Sequence, residues 1–357
     1  MNKNRRALLR AGMAGMAGAL AAPHVARAGN VRELRMVTSW PKNLPGPGVS
    51  AERLARDIGT LSGGTLKVKV YAAGELVAPL AVFDAVQNGT AEMAHTASLF
   101  WGGKMPVAAL FTAGPSGLTP VEHRAWLEQG GGQKLWDALY GQFGIKPLYC
   151  GNTGPSMGGW FRKPITKLDD LKGLKMRMPG LGGEILRRLG GTPVSLPPGE
   201  ILTALQSGAI DATEFLGPFS DMAMGFHKVA KVYHYPAFHE PNGAGELLVS
   251  RKVWEGLTAE QRRAIEVACS AEAARTLAEH AWRNASALKT LEEKHGVKVL
   301  PYPQAVLKAA RKAADAVLAE LAAKDVMSGR IVKSWLAARD HLKEWSSVSL
   351  QSFLSAR

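Results

Sequence analysis

Between residues 31 and 256, short apolar runs alternate with segments that are apolar on one side only. Residues 34–38 (LRMVT) read as a strand, and residues 50–61 place apolar side chains at helical spacing. Residues 65–71 alternate strictly, with Leu66, Val68 and Val70 set against Lys67 and Lys69. That period of two belongs to a strand with one buried face. Residues 79–87 predict a helix. The resulting βαβα order predicts an α/β fold with largely parallel sheets.

Two segments echo each other. Residues 85–94 read AVQNGTAEMA and residues 204–213 read ALQSGAIDAT. Each has Ala, an aliphatic residue, Gln, a small polar residue and Gly, with an acid three positions after the Gly. Such a Gly stops a helix by taking the left-handed conformation, and a short strand follows. One unit in each half predicts two similarly built lobes. After Leu257 the pattern changes. Residues 258–295 contain no Pro or Gly and carry Ile265, Cys269, Leu277 and Trp282 at helical spacing, which predicts one long helix. Residues 296–300 predict a short strand, residues 302–324 an Ala-rich helix, and residues 331–354 further helix.

The first 28 of the 357 residues do not belong to this architecture. Lys3, Arg5, Arg6 and Arg10 precede a Gly- and Ala-rich apolar stretch over residues 11–22, and the segment closes on Ala26-Arg27-Ala28. A basic start, an apolar middle and small residues at both ends of A-x-A make a cleavable export signal. The Arg5-Arg6 pair points to the twin-arginine route, which carries folded proteins. The apolar stretch is shorter than the roughly 20 residues that a membrane span needs. The mature chain, expected in the periplasm from about Gly29, has about 330 residues, which suits two lobes.

Hydrophobic residues make up 46% of the chain and the formal charge is +14. Five basic residues lie in the signal, which has no acid, so the mature chain carries +9. Those charges are scattered among acids, a solvated surface that mildly favours anionic ligands. No basic patch is interleaved with aromatics, so nucleic acid is not an expected partner.

Gly154-Pro-Ser-Met-Gly158 matches G-x-S-x-G, the nucleophile elbow of serine hydrolases. The elbow needs a strand before the Ser and a helix after it. Residues 145–150 supply the strand, but residues 159–164 read as another short strand ending at Pro164. A Gly-rich turn is therefore the preferred reading, with an exported hydrolase using Ser156 as the alternative. Residues 174–178 predict a strand, residues 179–183 a tight turn, and residues 184–189 the opening of a helix. Arg177 then falls near the carboxyl end of a strand, where open α/β sheets bind ligands. Its guanidinium offers a fork that matches a carboxylate. The local glycines do not complete G-x-G-x-x-G, because Ile185 occupies the last position, so no dinucleotide is indicated.

Glu214 and Phe215 end the strand of the second echo, again facing a site. On pattern alone Glu214 reads as a cation ligand, a partner for Arg177 or an exposed acid. His227, His234 and His239 are spaced by seven and five, which is no compact metal pattern. Cys150 and Cys269 match neither a metal nor a redox spacing and read as two separate buried thiols.

Several stretches together resemble one family: VTSWP (37–41), YAAGEL (71–76), GGGQKLW (130–136), GNTG (151–154), MGGWF (157–161), LDDLKGLKMRMPGLGGE (168–184), LQSGAIDATE (205–214) and HEP (239–241). The chain is similar to the substrate-binding subunits of tripartite ATP-independent periplasmic (TRAP) transporters. Among them it is most similar to the branch that binds 2-oxo acids such as pyruvate. The similarity runs over nearly the whole mature chain, and the block 168–184 is highly specific.

The resemblance implies a two-lobed periplasmic-binding-protein fold, type II-like, whose lobes close on a ligand without catalysing a reaction. It implies residues 1–28 as the signal, 29–152 with 243–257 as lobe 1, and 153–242 as lobe 2. Residues 258–295 become a long helix packing across the lobes, and 296–357 a C-terminal strand and helices that serve as a dimerisation tail. Arg177 matches the arginine that grips the substrate carboxylate. In the branch a sodium or calcium ion bridges ligand and protein, held by the acid matching Glu214, the backbone of Phe215 and a Gln. A homodimer and the membrane subunits of a TRAP transporter are the implied partners.

The chain departs from that branch at the site. Ser156 stands where the Gln is expected, Phe215 where Trp is usual, and Ser98, Leu99 and Phe100 where acidic and tyrosine residues are common. Ser156 is too short to reach an ion placed for a Gln. The expectation is a site that requires no metal, with Glu214 able to hold one through a water. The pocket becomes more apolar. The expected ligand is a small organic acid, a 2-oxo or 2-hydroxy monocarboxylate larger or more apolar than pyruvate. Arg177, Ser156 and Asn152 would hold it, and Trp40, Phe100, Trp101 and Phe215 would exclude water. The alternative to a transporter as partner is a signalling protein.

Overall fold

In the computed structural model, which describes residues 31–357, strands and helices alternate from Arg32 onward. The first are β1 (Arg32–Thr38), α1 (Pro47–Leu61), β2 (Leu66–Tyr71), α2 (Val82–Gln87) and β3 (Met93–Thr96). Then come α3 (Pro120–Glu128), α4 (Gly132–Gly141) and β4 (Ile145–Asn152). The expected export signal and its cleavage site lie outside the described residues.

After β4 the chain crosses to a second sheet. It builds β5 (Gly159–Phe161), β6 (Lys175–Arg177), α5 (Gly180–Arg188), β7 (Thr192–Val194), α6 (Ile201–Ser207), β8 (Ala212–Thr213), α7 (Pro218–Met224) and β9 (Val232–Tyr235). It returns with β10 (Ala244–Ser250) and α8 (Arg251–Glu255). The rest is α9 (Ala259–Glu293), β11 (Lys298–Pro301), α10 (Gln304–Lys324), α11 (Val326–Ser346) and α12 (Ser352–Ala356). The first sheet has the order β2-β1-β3-β10-β4, and the second the order β11-β9-β5-β8-β6-β7. Only β10 in one and β5 in the other run against their neighbours.

The two echoes do the same work in the two sheets. Gly89 and Gly208 take left-handed φ angles of 77° and 76°. The acid that follows each one accepts a backbone N–H of the neighbouring parallel strand. Glu92 accepts the Arg35 N–H at 2.7 Å, and Asp211 accepts the Lys175 N–H at 3.0 Å. The strand registers correspond, with Met36 facing Met93 and Met176 facing Ala212.

Residues 179–183 are not the tight turn expected. Pro179 caps α5 and the glycines form its first turn. Bare glycine lets this turn sit close: a Cβ on Gly182 would lie 2.8 Å from the His239 Cβ, and one on Gly183 only 2.4 Å from the Met178 carbonyl.

α9 starts on a Thr258–Gln261 capping box, which satisfies two N–H groups that helix geometry leaves free. The helix bonds to both halves. Thr276 Oγ1 accepts the Asn152 N–H at the end of β4 at 3.0 Å, and Asn284 Oδ1 accepts the Phe219 N–H of α7 at 2.9 Å. Arg53 of α1 anchors it further, with 2.7 Å bonds to Glu272 and Glu279. Cys150 and Cys269 are unbridged and buried in the core between the first sheet and α9. In the tail, Trp335 of α11 lies on Gly114 and Gly117, where an added Cβ would come within 2.1 Å of the ring. Beyond it Trp345, Val348 and Phe353 are exposed. No helix among the described residues is long and apolar enough to cross a membrane.

Candidate functional site

A cavity lies between the two sheets, at the carboxyl ends of β1, β3, β4, β6 and β8. Strand ends of this kind present loop side chains and free backbone groups, which is why open α/β sheets bind ligands there. The centres of water molecules can reach about 50 Å³ of it. That is room for several waters or one compact molecule.

Arg177 is the last residue of β6, held in register with Thr213 of β8. Its side chain is only 3% exposed. Nε donates to the Leu196 carbonyl at 3.3 Å, and Nη1 donates to the Glu214 carbonyl at 3.2 Å and to Glu214 Oε1. Nη2 makes no hydrogen bond among the described residues, and Arg177 lines the cavity. The Phe215 ring lies 5.8 Å from the guanidinium carbon, a cation–π distance.

Glu214 is equally buried. A carboxylate only accepts, so the 3.2 Å contact between its Oε2 and His239 is a bond donated by Nε2–H. Glu240 closes the group. It is buried without a hydrogen bond among the described residues, and burial together with the Glu214 charge pushes its carboxyl well above the usual range, against the pull of Arg177. One ligand atom from each of Glu214, His239 and Glu240 falls within 4.8 Å of the others. A hard cation here would displace the proton from Glu240 and pair with the carboxylate it leaves.

The opposite wall is neutral. The Trp40 indole donates to His95 Nδ1 at 2.8 Å. Indole N–H only donates, so the His95 proton sits on Nε2, 3.5 Å from Ser50 Oγ. Burial lowers the pKa of His95 to about 4, which keeps it uncharged. Phe100 packs 5.9 Å from the Trp40 ring. Asn152 donates through Nδ2 to Asn242 at 3.0 Å and accepts the Gly154 N–H at 2.8 Å.

A buried acid outside the cavity shapes the loop after Glu214. Asp221 accepts from the Leu216 N–H at 3.0 Å, the Trp160 indole at 2.9 Å and the Tyr233 hydroxyl at 2.7 Å. Burial outweighs these donors and lifts its pKa to about 7.

Of the residues singled out in the sequence, Trp40, Phe100, Asn152, Arg177, Glu214 and Phe215 come together at the cavity. Trp101 and Ser156 do not line it. Trp101 turns into the core beneath the first sheet, where its indole donates to the buried Glu246 at 2.7 Å. Ser156 is buried and its hydroxyl finds no partner among the described residues. The chain after it enters β5 and not a helix, so it forms no nucleophile elbow. Sequence reasoning did not single out His95 or Glu240, and it set His239 aside because its spacing matched no compact metal pattern. The last two lie in a stretch, HEP, that carried only a resemblance.

Residues 37–325 match the family model for bacterial extracellular solute-binding proteins, family 7. A curated relative from Nostoc sp. (strain PCC 7120), a monocarboxylate 2-oxoacid-binding periplasmic protein, is 40% identical over 324 residues, 91% of this chain and 88% of its own. A TRAP transporter solute-binding protein of Bordetella bronchiseptica superposes with a TM-score of 0.90 at 36% identity, covering 92% of this chain and 97% of its own. That protein is a mixed-occupancy dimer with calcium and picolinate in one active site and the other site empty. A TRAP periplasmic solute-binding protein of Pseudoalteromonas atlantica, holding sodium and pyruvate, gives 0.89 at 37% identity, covering 92% and 100%.

Proposed function

The chain belongs to family 7 of the bacterial extracellular solute-binding proteins, and on that footing we propose that it captures a short-chain 2-oxo or 2-hydroxy monocarboxylate between its sheets for a TRAP transporter. It is a receptor and not an enzyme, as its relatives are. The observation that carries the reading is Arg177, a buried guanidinium with Nη2 unspent at the wall of a small, largely apolar cavity. A carboxylate that accepts from Nη2 gains a charge-assisted bond away from water, where it is strongest. Trp40, Phe100 and Phe215 keep water out. The space of about 50 Å³ supports a compact ligand, close to the size of pyruvate, in place of the larger acid expected from the sequence.

The division into lobes follows the chain crossings. Residues 29–152 with 243–257 act as one lobe and 153–242 as the other, with 258–295 bridging both. A ligand that touches both lobes binds the closed arrangement better and shifts the population towards it. The closed form is then what the membrane subunits recognise.

The residues at the site fit a sodium or calcium ion even without the family Gln. Glu214, Glu240 and the Phe215 carbonyl would supply hard oxygen ligands, and Glu240 makes no hydrogen bond among the described residues. When bound, the ion would neutralise charge and tie the acid to the protein. Ser156 is not needed for this. The exposed Trp345, Val348 and Phe353 support a homodimer through the tail, since a second copy would cover them. The Arg5-Arg6 pair supports export by the twin-arginine route.

Calorimetry tests the reading. Refolded, ligand-free mature protein is titrated with pyruvate, other 2-oxo and 2-hydroxy acids, and dicarboxylates, each with sodium, calcium or chelator. Binding of a monocarboxylate that weakens in chelator is expected. No binding of any monocarboxylate would refute the proposal.

A further inference from the structure

The cavity shares a wall with a much larger groove. Leu99, Phe100 and Pro179 line both spaces. On the cavity side water centres reach about 50 Å³, and on the groove side about 540 Å³. The wall is made where the halves meet. Leu99 and Phe100 belong to the turn after β3, and Pro179 caps α5. The fit is tight: a Cβ added to Gly180, which has a φ of 63°, would lie 3.2 Å from the Leu99 Cβ. Trp40 and Trp101 brace the Phe100 ring from behind, at 5.9 Å and 6.3 Å. Phe100 is only partly buried, as a ring with one face on each side would be.

We propose that this wall, and the Phe100 ring above all, sets the chain length of the acid that the receptor accepts, and that the groove beyond is an accessory subsite for the tail of a longer one. The proposal rests on the monocarboxylate reading of Arg177. With the carboxylate fixed there, the far end of a short 2-oxo acid stops at the ring. Each further methylene must displace the ring or open the halves, and an apolar wall rejects added methylenes by roughly tenfold or more each. With the ring removed, the tail of a medium-chain or aromatic 2-oxo acid enters the groove, whose lining sets Met178, Leu181 and Val317 among the charged Arg187, Arg188 and Glu320.

The test is calorimetry of the full mature protein and of Phe100→Ala and Phe100→Leu with pyruvate, 2-oxobutyrate, 2-oxooctanoate and phenylpyruvate, calcium present throughout. The wild type is expected to bind pyruvate at least roughly a hundredfold tighter than 2-oxooctanoate, at about tenfold for each step of chain length that the wall resists. Phe100→Ala should shrink that ratio at least roughly tenfold by gaining on the long acids, with Phe100→Leu between them. Should Phe100→Ala fail to fold, Leu99→Ala thins the same wall and is expected to act alike. An unchanged ratio in folded variants, or a wild type that takes long and short acids equally, overturns the proposal. A wild type that binds none of the four overturns the monocarboxylate reading itself.

Discussion

Replacing Arg177 by Ala separates its two roles. In the empty protein its Nη1 serves both the carboxylate and the carbonyl of Glu214. Removing one partner of a buried ion pair costs about 3–5 kcal/mol, because the other charge stays buried. His239 still donates to Glu214 Oε2, which places the loss near the lower bound, at about 3 kcal/mol. A chain this long melts roughly 1–2 °C lower per kcal/mol, so Arg177→Ala should melt roughly 5 °C below the wild type. Binding loses the charge-assisted contact to the ligand, at least about 2 kcal/mol, which is roughly thirtyfold in Kd. The double variant Arg177→Met with Glu214→Gln leaves no unpaired charge between these positions. It should recover most of the melting temperature and none of the affinity. Calorimetry and thermal melts on the three proteins read both quantities. Unchanged affinity in Arg177→Ala, or restored binding in the double variant, would refute the reasoning.

Glu246 lies on β10 of the first sheet, accepting from Trp101 and Tyr140, and burial lifts its pKa to about 7. The folded state therefore holds a proton that the unfolded state has released. The associated stability is complete below about pH 4.5 and is lost as pH rises through about 7. Glu246→Gln should flatten the decline in melting temperature between pH 5 and 8, and parallel curves for the two proteins would contradict this. Deleting residues 345–357 should convert a dimer to a monomer in light scattering without loss of affinity, and a persistent dimer would move the interface elsewhere.

Much of this fold is written in local pattern. The alternation over residues 65–71 became β2, the Gly- and Pro-free run became α9, and the echoed glycines took the left-handed conformation they were expected to take. The place of Arg177 at the end of a strand was legible because strand, turn and helix signals follow one another in one short block. Elsewhere, tertiary packing overruled local signals. Gly180, Gly182 and Gly183 look like a turn, yet they form helix, and Gly182 and Gly183 are glycine because His239 and Met178 press where side chains would stand. Trp101 looked like a site aromatic, but its indole had a buried carboxylate to satisfy 145 residues away. Glu240 sits in a loop with no periodicity. Its importance arises only from the charges that folding brings around it.

The echoed units also set which side of the cavity acts first. His95 and Glu214 stand three residues beyond the acids of the two echoes and both line the cavity, yet His95 is neutral. The arginine and both acids at the wall, Arg177, Glu214 and Glu240, come from the half built on the second sheet. On the proposed reading the halves are not equal jaws. One is a dock and the other a lid. An arriving anion has an electrostatic reason to land on the dock alone, and the lid then adds shape and dryness. Opening the lid does not by itself free the ligand. Whatever receives it must offer a better home for one negative charge than Arg177 does.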